Sequence, residues 1–447
     1  MTVQNSSTAN PDALLSRELG VRQFAANIFN YTVGSGIFLL PATAVLTLGT
    51  AAPLAYIACA VVIGLVVLCF AENGSRVSAT GGSYAYVETA IGPMFGFMAG
   101  CLVFTTGLFA ASGIVNGFVR TLEALFNARP PLWMAKGAVV ALVALLVTIN
   151  MRGVRKGARA LEIITVLKLL PLLLFVFAGA FFIEPDRLAW DHVPDISTVL
   201  GSAGIMIFAF SGIEGATVPS GEVRDTARTV PLAIFLALGS ITLLYLAIQF
   251  VALGIMGLDL GGTGRTPLAE AAGVAFGPFA RSVMIAAALV SMFGYLTANV
   301  LSEPRGLFAM SRDGFLPALF TRVHPKFRTP NTAIVIYGIM VATLATVGTF
   351  EWLTMFSNLA ALSLYFLCAI STLALRRRNV RADGPPFVIP GGPTVPVLAC
   401  FAVAWLFFET TRNQQEGGIK QFYAWLVALA IIMVLYGIRT WRRRLAA

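Results

Sequence analysis

Two apolar stretches of this chain carry the same interruption. The first reads Asn30-Tyr-Thr-Val-Gly34-Ser35-Gly36-Ile-Phe38-Leu-Leu-Pro41. The second reads Phe208-Ala-Phe-Ser211-Gly212-Ile-Glu214-Gly215-Ala-Thr-Val-Pro219. In hydrocarbon, a broken helix leaves backbone N–H and C=O groups unpaired. Each costs several kcal/mol unless protein, water or a ligand completes it. Two such breaks, at corresponding places in two halves of one chain, point to a binding site between inverted repeats of the kind transporters use.

The surrounding composition makes hydrocarbon the relevant solvent. Of 447 residues, 57% are hydrophobic and only 12% charged, with a mean hydropathy of +0.82. Soluble domains carry about 25% charged residues. At roughly 20 residues per membrane crossing, the sequence divides into about 12 spans: 20–47, 53–76, 84–126, 132–150, 158–183, 198–221, 230–257, 276–311, 331–349, 352–376, 394–412 and 421–441. The third and eighth exceed what a bilayer needs and are expected to tilt or to extend past the interface as helices. Residues 1–16 form a polar tail with no basic and apolar leader pattern, so the first span is expected to insert uncleaved.

The net charge of +10 does not indicate nucleic acid, because the basic residues cluster in short loops between apolar spans. With the N-terminus in the cytoplasm, 22 of the 31 basic residues fall on the cytoplasmic side and eight on the other, with Lys168 left inside a span. That asymmetry predicts an even number of spans with both termini cytoplasmic. The cluster Arg376-Arg377-Arg378 reads as a stop-transfer flank, and the acidic segment 184–195 as a solvated external loop. Cys59, Cys69, Cys101, Cys368 and Cys400 sit in apolar spans without metal-ligand spacing and read as small buried hydrophobes. His192 and His324 make no metal set, Gly261–Thr266 reads as a turn, and no hydrolase arrangement is present. No cofactor, metal or catalytic residue is called for.

Three features carry chemistry. Glycines at 34 and 36 free the backbone to leave helical geometry and approach a ligand. The half-helix that follows aims N–H groups at an anion such as a carboxylate. The alternative is a small-residue packing face. The carbonyls that end the half-helix before Ser211 suit an ammonium group, so the two breaks together form a receptor for a zwitterion. Lys168, in Ile163-Ile-Thr165-Val-Leu-Lys168-Leu-Leu-Pro171, is the second feature. An ionisable group within a span is functional by default, here as a proton carrier, unless it snorkels to the interface. Glu214 is the third: it either titrates or holds the loose backbone ends of its break.

With these residues in view, the chain resembles the amino acid–polyamine–organocation (APC) superfamily of transporters. The resemblance rests on Gly34–Pro41, on Phe210-Ser-Gly212-Ile-Glu214 with Arg228-Thr-Val-Pro231, and on Pro304-Arg305-Gly-Leu-Phe-Ala-Met-Ser311-Arg312-Asp313-Gly314, and it covers residues 17–441. It implies an all-α membrane protein with a LeuT-like 5+5 inverted repeat: residues 17–183 and 197–376, with broken helices 1 and 6, then two peripheral helices in 394–441. It also implies that a substrate carboxylate meets Ser35 and Gly36. The amine would meet carbonyls of Thr32, Phe208 and Ser211, with the Phe208 ring covering the substrate. Ala111, Ile114, Asn299 and Ser357 fall near the expected side-chain pocket. Glu214 and Tyr365 match two members of an inner gate whose third, a tyrosine, is replaced here by Val103. Lys168 resembles the lysine that stands in place of a sodium ion in sodium-independent members.

The expected function is secondary transport of a small L-amino acid across a bacterial cytoplasmic membrane, coupled to protons or by exchange, without sodium. A neutral, apolar substrate is favoured, because Ala111, Ile114 and Phe208 offer no charge partner and Glu214 is the only carboxylate near the pocket. A cationic amino acid or polyamine antiporter is the alternative within transport, since aromatic faces also hold cations. A membrane-bound enzyme or receptor is the alternative of another class, and the loops are too short for a sensory domain.

Overall fold

The computed structural model describes residues 19–446 apart from 80, 126–129, 152–156, 191–192, 219, 221–222, 265, 313, 325–326, 328, 383 and 413–417. The expected polar tail, His192, Arg265 and Asp313 therefore lie outside the described residues. Among the described residues the regular structure is helical apart from one isolated bridge. In order the helices are α1 (Val21–Thr32), α2 (Gly36–Leu39), α3 (Pro41–Leu48), α4 (Pro53–Arg76), α5 (Ser83–Ile91) and α6 (Pro93–Leu125). Then come α7 (Leu132–Met151), α8 (Gly157–Gly179), α9 (Ile196–Phe210), α10 (Ile213–Ala216), α11 (Thr226–Met256) and α12 (Asp259–Gly262). The last six are α13 (Pro267–Phe276), α14 (Pro278–Arg312), α15 (Asn331–Val347), α16 (Phe350–Arg377), α17 (Thr394–Arg412) and α18 (Gly418–Ala446). Among the described residues, β pairing is limited to one isolated parallel bridge, Leu19 to Val223.

Proline and glycine set the ends. Proline opens α3, α4 and α13, where its missing N–H and fixed φ cost nothing. Gly257 closes α11 at φ 61°, a conformation that favours a residue without Cβ. The same device corrects the third expected span. Residues 84–126 are not one over-long helix: Gly92, at φ 108°, ends α5, and Pro93 starts α6. The eighth expected span is continuous, as the 35-residue α14.

Among the described residues, ten helices, α9 with α10 counted as one, are long and apolar enough to cross a membrane. Two of the 12 expected spans are not among them. Residues 20–47 are divided among α1, α2 and α3, of 12, 4 and 8 residues, because of the break at Val33–Ser35. The span expected at 331–349 is α15, an apolar helix of 17 residues. The apolar windows of α17 and α18 are 22% and 11% buried, against 72% for α16, and those of α7 and α8 are 22% buried as well. Cys59, Cys69 and Cys368 are buried, and all five thiols are free.

One end of the bundle is held by a buried ionic cluster. Glu72, near the end of α4, has no exposed surface. Its carboxylate accepts from Arg76 one turn on (2.9 Å), from Arg376 of α16 (2.7 and 2.5 Å) and from the Ile389 N–H (3.0 Å). The three arginines read as a stop-transfer flank thus part company. Arg376 turns inward to Glu72, Arg378 donates to the carbonyls of Thr89 and Ala90 at the end of α5, and Arg377 is exposed. The sequence does not show this, because Glu72 and Arg376 are 304 positions apart.

Removing one partner of a buried charge cluster strands the others, at a cost of about 3 kcal/mol or more. Glu72→Gln should therefore lower the midpoint of thermal unfolding of the detergent-purified protein by several degrees. An unchanged midpoint would show that the cluster contributes no net stability.

Candidate functional site

The two interruptions meet at the centre of the bundle. Helix α1 stops at Thr32, Val33 takes φ −77° and ψ 81°, and the chain resumes helical geometry at Gly36. Helix α9 stops at Phe210, Ser211 is extended at ψ 153°, and Gly212 takes φ 128°, a value that favours glycine. Each break is shaped by the other. A Cβ at Gly36 would lie 2.6 Å from Ala209 Cα, and one at Gly212 would lie 2.7 Å from the Tyr31 carbonyl oxygen. Both glycines thus permit backbone-to-backbone contact that no side chain would allow.

The broken ends need hydrogen-bond partners, and several come from distant helices. Lys168 of α8 is 1% exposed, and its ammonium donates to the carbonyls of Asn30 (3.1 Å) and Val33 (2.8 Å). Snorkelling is therefore not what it does. Ser291 of α14 sits on the same segment, its hydroxyl 3.2 Å from the carbonyls of Val33 and Gly34. The Tyr245 hydroxyl of α11 bridges the two breaks, 3.2 Å from the Thr32 carbonyl and 3.0 Å from that of Ala209. At the second break, both Glu214 oxygens accept from the Gly212 N–H at 3.1 Å, and Tyr365 of α16 donates to one of them at 2.9 Å. Glu214 thus holds the loose end of its own break.

Some groups at the breaks are left over. Ser35 Oγ is buried without a partner, and the N–H groups of Ser35 and Ile37 donate to no backbone carbonyl among the described residues. The Phe208 carbonyl likewise receives no backbone N–H among them. The Thr32 carbonyl, expected to hold an amine, already accepts from the Gly34 N–H (2.8 Å) and from Tyr245.

Ser35 and Phe208, though not Ile37, line a narrow cavity of about 30 Å³, space for no more than a few water molecules. Of the residues singled out from sequence, Thr32, Ser35, Gly36, Ile114, Phe208, Ser211, Glu214 and Asn299 line it, as does Val103. Ala111, Ser357, Lys168 and Tyr365 do not. The face that α6 presents runs through Val103, Gly107, Ala110 and Ile114, so Ala110 takes the place expected of Ala111. Ser357 is fully buried behind that wall, its hydroxyl donating to the Thr106 carbonyl at 3.0 Å. Asn299 spends its amide within the protein: Nδ2 donates to the Gly107 carbonyl (3.3 Å), and Oδ1 accepts from Tyr337 (2.6 Å).

Glu214 is not the only carboxylate near the pocket. Glu303 of α14 also lines the cavity. The signal for it was in the sequence. Glu303 lies four residues after Asn299 and eight after Tyr295, on one helix face. It is also an ionisable residue within an apolar helix. The adjoining Arg305, assigned to the cytoplasmic loops, draws attention away from it.

A second cavity, of about 650 Å³, adjoins the first and is lined by Thr43, Gly117, Arg120, Phe350, Glu351 and other residues of the same end. Phe208 belongs to the walls of both cavities, and its ring meets that of Phe350 edge-on at 5.7 Å. Among the described residues, no group of three or more His, Cys, Asp and Glu side chains is placed to hold a metal ion.

Comparison with known proteins agrees with this architecture. Residues 19–436 match the family model described as amino acid permease. The chain is 26% identical to the methylthioribose transporter of Bacillus subtilis, over 97% of this chain and 96% of that one. It is 25% identical to the branched-chain amino acid permease BcaP of the same species, over 94% and 93%. An uncharacterized transporter of Mycobacterium tuberculosis is 31% identical over 88% and 87%. A family match across nearly the whole length, on a helical bundle in which ten described helices are long and apolar enough to cross a membrane, shows that this multi-pass membrane protein belongs to the amino acid permease family of the APC superfamily, whose members are transporters and not enzymes.

Proposed function

We propose that this chain carries a small L-amino acid across a bacterial cytoplasmic membrane by alternating access, binding the amino-acid head between the two helix breaks. The observation that carries this reading is the set of unpartnered groups in the central cavity. Among the described residues, the Ser35 hydroxyl has no hydrogen-bond partner, the Ser35 N–H donates to no backbone carbonyl, and the Phe208 carbonyl receives no backbone N–H. Buried polar groups rarely go unpaired. A carboxylate against the donors and an ammonium against the carbonyl would complete them.

The wider cavity serves on this reading as the external vestibule, and Phe208 as the wall that opens to admit substrate. A cavity of about 30 Å³ does not hold an amino acid, so loading requires that wall or its neighbours to move. The inverted repeats are residues 17–183 and 197–376, with 394–441 peripheral and both termini cytoplasmic. The bias of 22 basic residues against eight supports that orientation. Lys168 supplies the fixed positive charge between α8 and the end of α1, where a sodium ion would otherwise draw the carbonyls together. Coupling is then to protons or to a counter-substrate. Relatives support an amino-acid-type solute: the serine/threonine exchanger SteT of Bacillus subtilis is 25% identical over 95% of this chain.

Three measurements test the reading. A hydrogen bond to a charged group contributes about 1.5–3 kcal/mol, so Ser35→Ala should weaken binding of the transported amino acid by about ten- to a hundredfold at an unchanged melting midpoint. Unaltered affinity would remove the first break from the site. Gly36→Val is a poorer probe, because its Cβ collides with Ala209 backbone and would disturb the fold itself. Phe208→Ala should reduce uptake into proteoliposomes further than it reduces equilibrium binding, since a lost wall impairs closure more than contact. Equal losses would count against a gate. Replacing sodium by potassium should leave uptake unchanged, and sodium-dependent uptake would sink the role given to Lys168.

A further inference from the structure

Glu303 has no place in the scheme above, and its surroundings are unusual for a carboxylate. It is 8% exposed and lines the central cavity. No described residue gives it a hydrogen bond or an ion pair. The ionisable groups that face it are Glu214 from α10, Tyr31 from α1, Tyr295 from its own helix and Tyr337 from α15. None of these is a cation. Lys168 is engaged with the Asn30 and Val33 carbonyls. Arg305, two residues on, is exposed, with its guanidinium on the Leu301 carbonyl of the preceding turn, and its charge acts on Tyr31. Two of the neighbouring hydroxyls are also committed: Tyr31 donates to Ser302 (2.6 Å) and Tyr337 to Asn299 (2.6 Å).

The fold nevertheless makes room for this group. The carboxylate rests against the bare backbone of Gly107 on α6. A Cβ there would fall 2.3 Å from Glu303 Oε1 and 2.5 Å from its carboxyl carbon. The rings of Tyr31 and Tyr295, 6.2 Å apart and edge to face, line the same cavity. Such walls favour a cation. The three carboxylates buried among the described residues differ in this respect. Glu72 has two arginines, and Glu214 has a backbone N–H and a tyrosine hydroxyl. Only Glu303 among these three faces the ligand space with nothing to balance it. An ionised carboxylate there costs several kcal/mol of desolvation unless a cation arrives to pair with it.

We propose that Glu303 is the counter-ion for a positively charged group on the substrate's side chain, so that the solute carried is a dibasic amino acid rather than an apolar one. This rests on the head-group reading above and names the substrate class of that same site. The amino-acid head is a zwitterion, matched by neutral donors and a carbonyl at the breaks. The one extra positive charge of a lysine-like side chain is matched by Glu303, of the two carboxylates lining the cavity the one without a described hydrogen-bond partner. The apolar substrate expected from Ala111, Ile114 and Phe208 leaves Glu303 without a partner.

Lysine and norleucine test this directly, because they share a carbon skeleton and differ at the terminal ammonium. Equilibrium binding to the purified full-length protein should favour L-lysine over L-norleucine by about tenfold or more. Glu303→Gln, close to isosteric, should weaken lysine by about thirtyfold and norleucine by less than about threefold. Gly107→Ala, which displaces the carboxylate without removing it, should move lysine affinity in the same direction. Wild-type protein that binds norleucine as tightly as lysine would overturn the proposal. If norleucine binding then takes up a proton that Glu303→Gln does not, the residue carries protons instead. Ser35→Ala separates the two readings. It should weaken both ligands alike if the head-group site is right. If it weakens neither while Glu303→Gln still abolishes the lysine preference, the head-group reading fails and the counter-ion stands. A protein that binds no α-amino acid overturns both.

Discussion

The structure depends on the crossing of two broken helices. Gly36 lies against Ala209, and Gly212 against the Tyr31 carbonyl, closer than any Cβ would permit. That contact brings the loose end of each break onto the other. It also creates the problem the rest of the bundle solves, because unpaired backbone groups in a low-dielectric interior cost several kcal/mol each. Lys168, Ser291 and Tyr245 reach these groups from three other helices, and Glu214, held by Tyr365 of a fourth, reaches them from its own break. The bundle is thereby tied through its own weakest backbone, and the Ser35 hydroxyl and the Phe208 carbonyl remain for the cavity they line.

Charge is distributed on the same logic. The Glu72 cluster joins α4 to α16 through two arginines and a backbone N–H, so its charge is cancelled inside the protein. Glu214 is satisfied by groups it helps to position. Lys168 lies among carbonyl dipoles. Glu303 faces the cavity with none of these. A buried charge balanced by protein is structural, whereas one balanced by nothing present is held for something that arrives.

The two cavities give this distribution a direction. The small one holds the unpartnered groups, and the large one lies beyond Phe208 towards Arg120 and Glu351, which pair at 3.3 Å. On the proposed reading, the wall between them is an aromatic contact, Phe208 on Phe350, and not an ion pair. An edge-to-face contact is worth about 0.5–1.5 kcal/mol beyond its burial. It yields more readily than a buried salt bridge, which suits a barrier that opens in every cycle.

Sequence alone determined the class of the molecule and where its helices break. A membrane-spanning apolar run, a glycine–serine interruption and a proline at a helix start are local properties, and local chemistry is legible in order along the chain. Ser35, Gly36, Phe208 and Glu214 were found that way, and all line the cavity. Where local reading failed, the deciding contact was distant or depended on one residue of helical register. The 84–126 stretch divides at Gly92, since a single glycine at positive φ outweighs an apolar run on either side. Ala110, not Ala111, faces the cavity, because one step along a helix turns a side chain by about 100°. Arg376 left the solvated flank for Glu72, and Ser357 left the pocket for the Thr106 carbonyl. Glu303 lay in plain view on the face of Asn299, but that it has no partner is a statement about every neighbouring helix at once. Only the tertiary structure decides which charges the protein itself cancels, because partners hundreds of residues apart meet only when the helices pack.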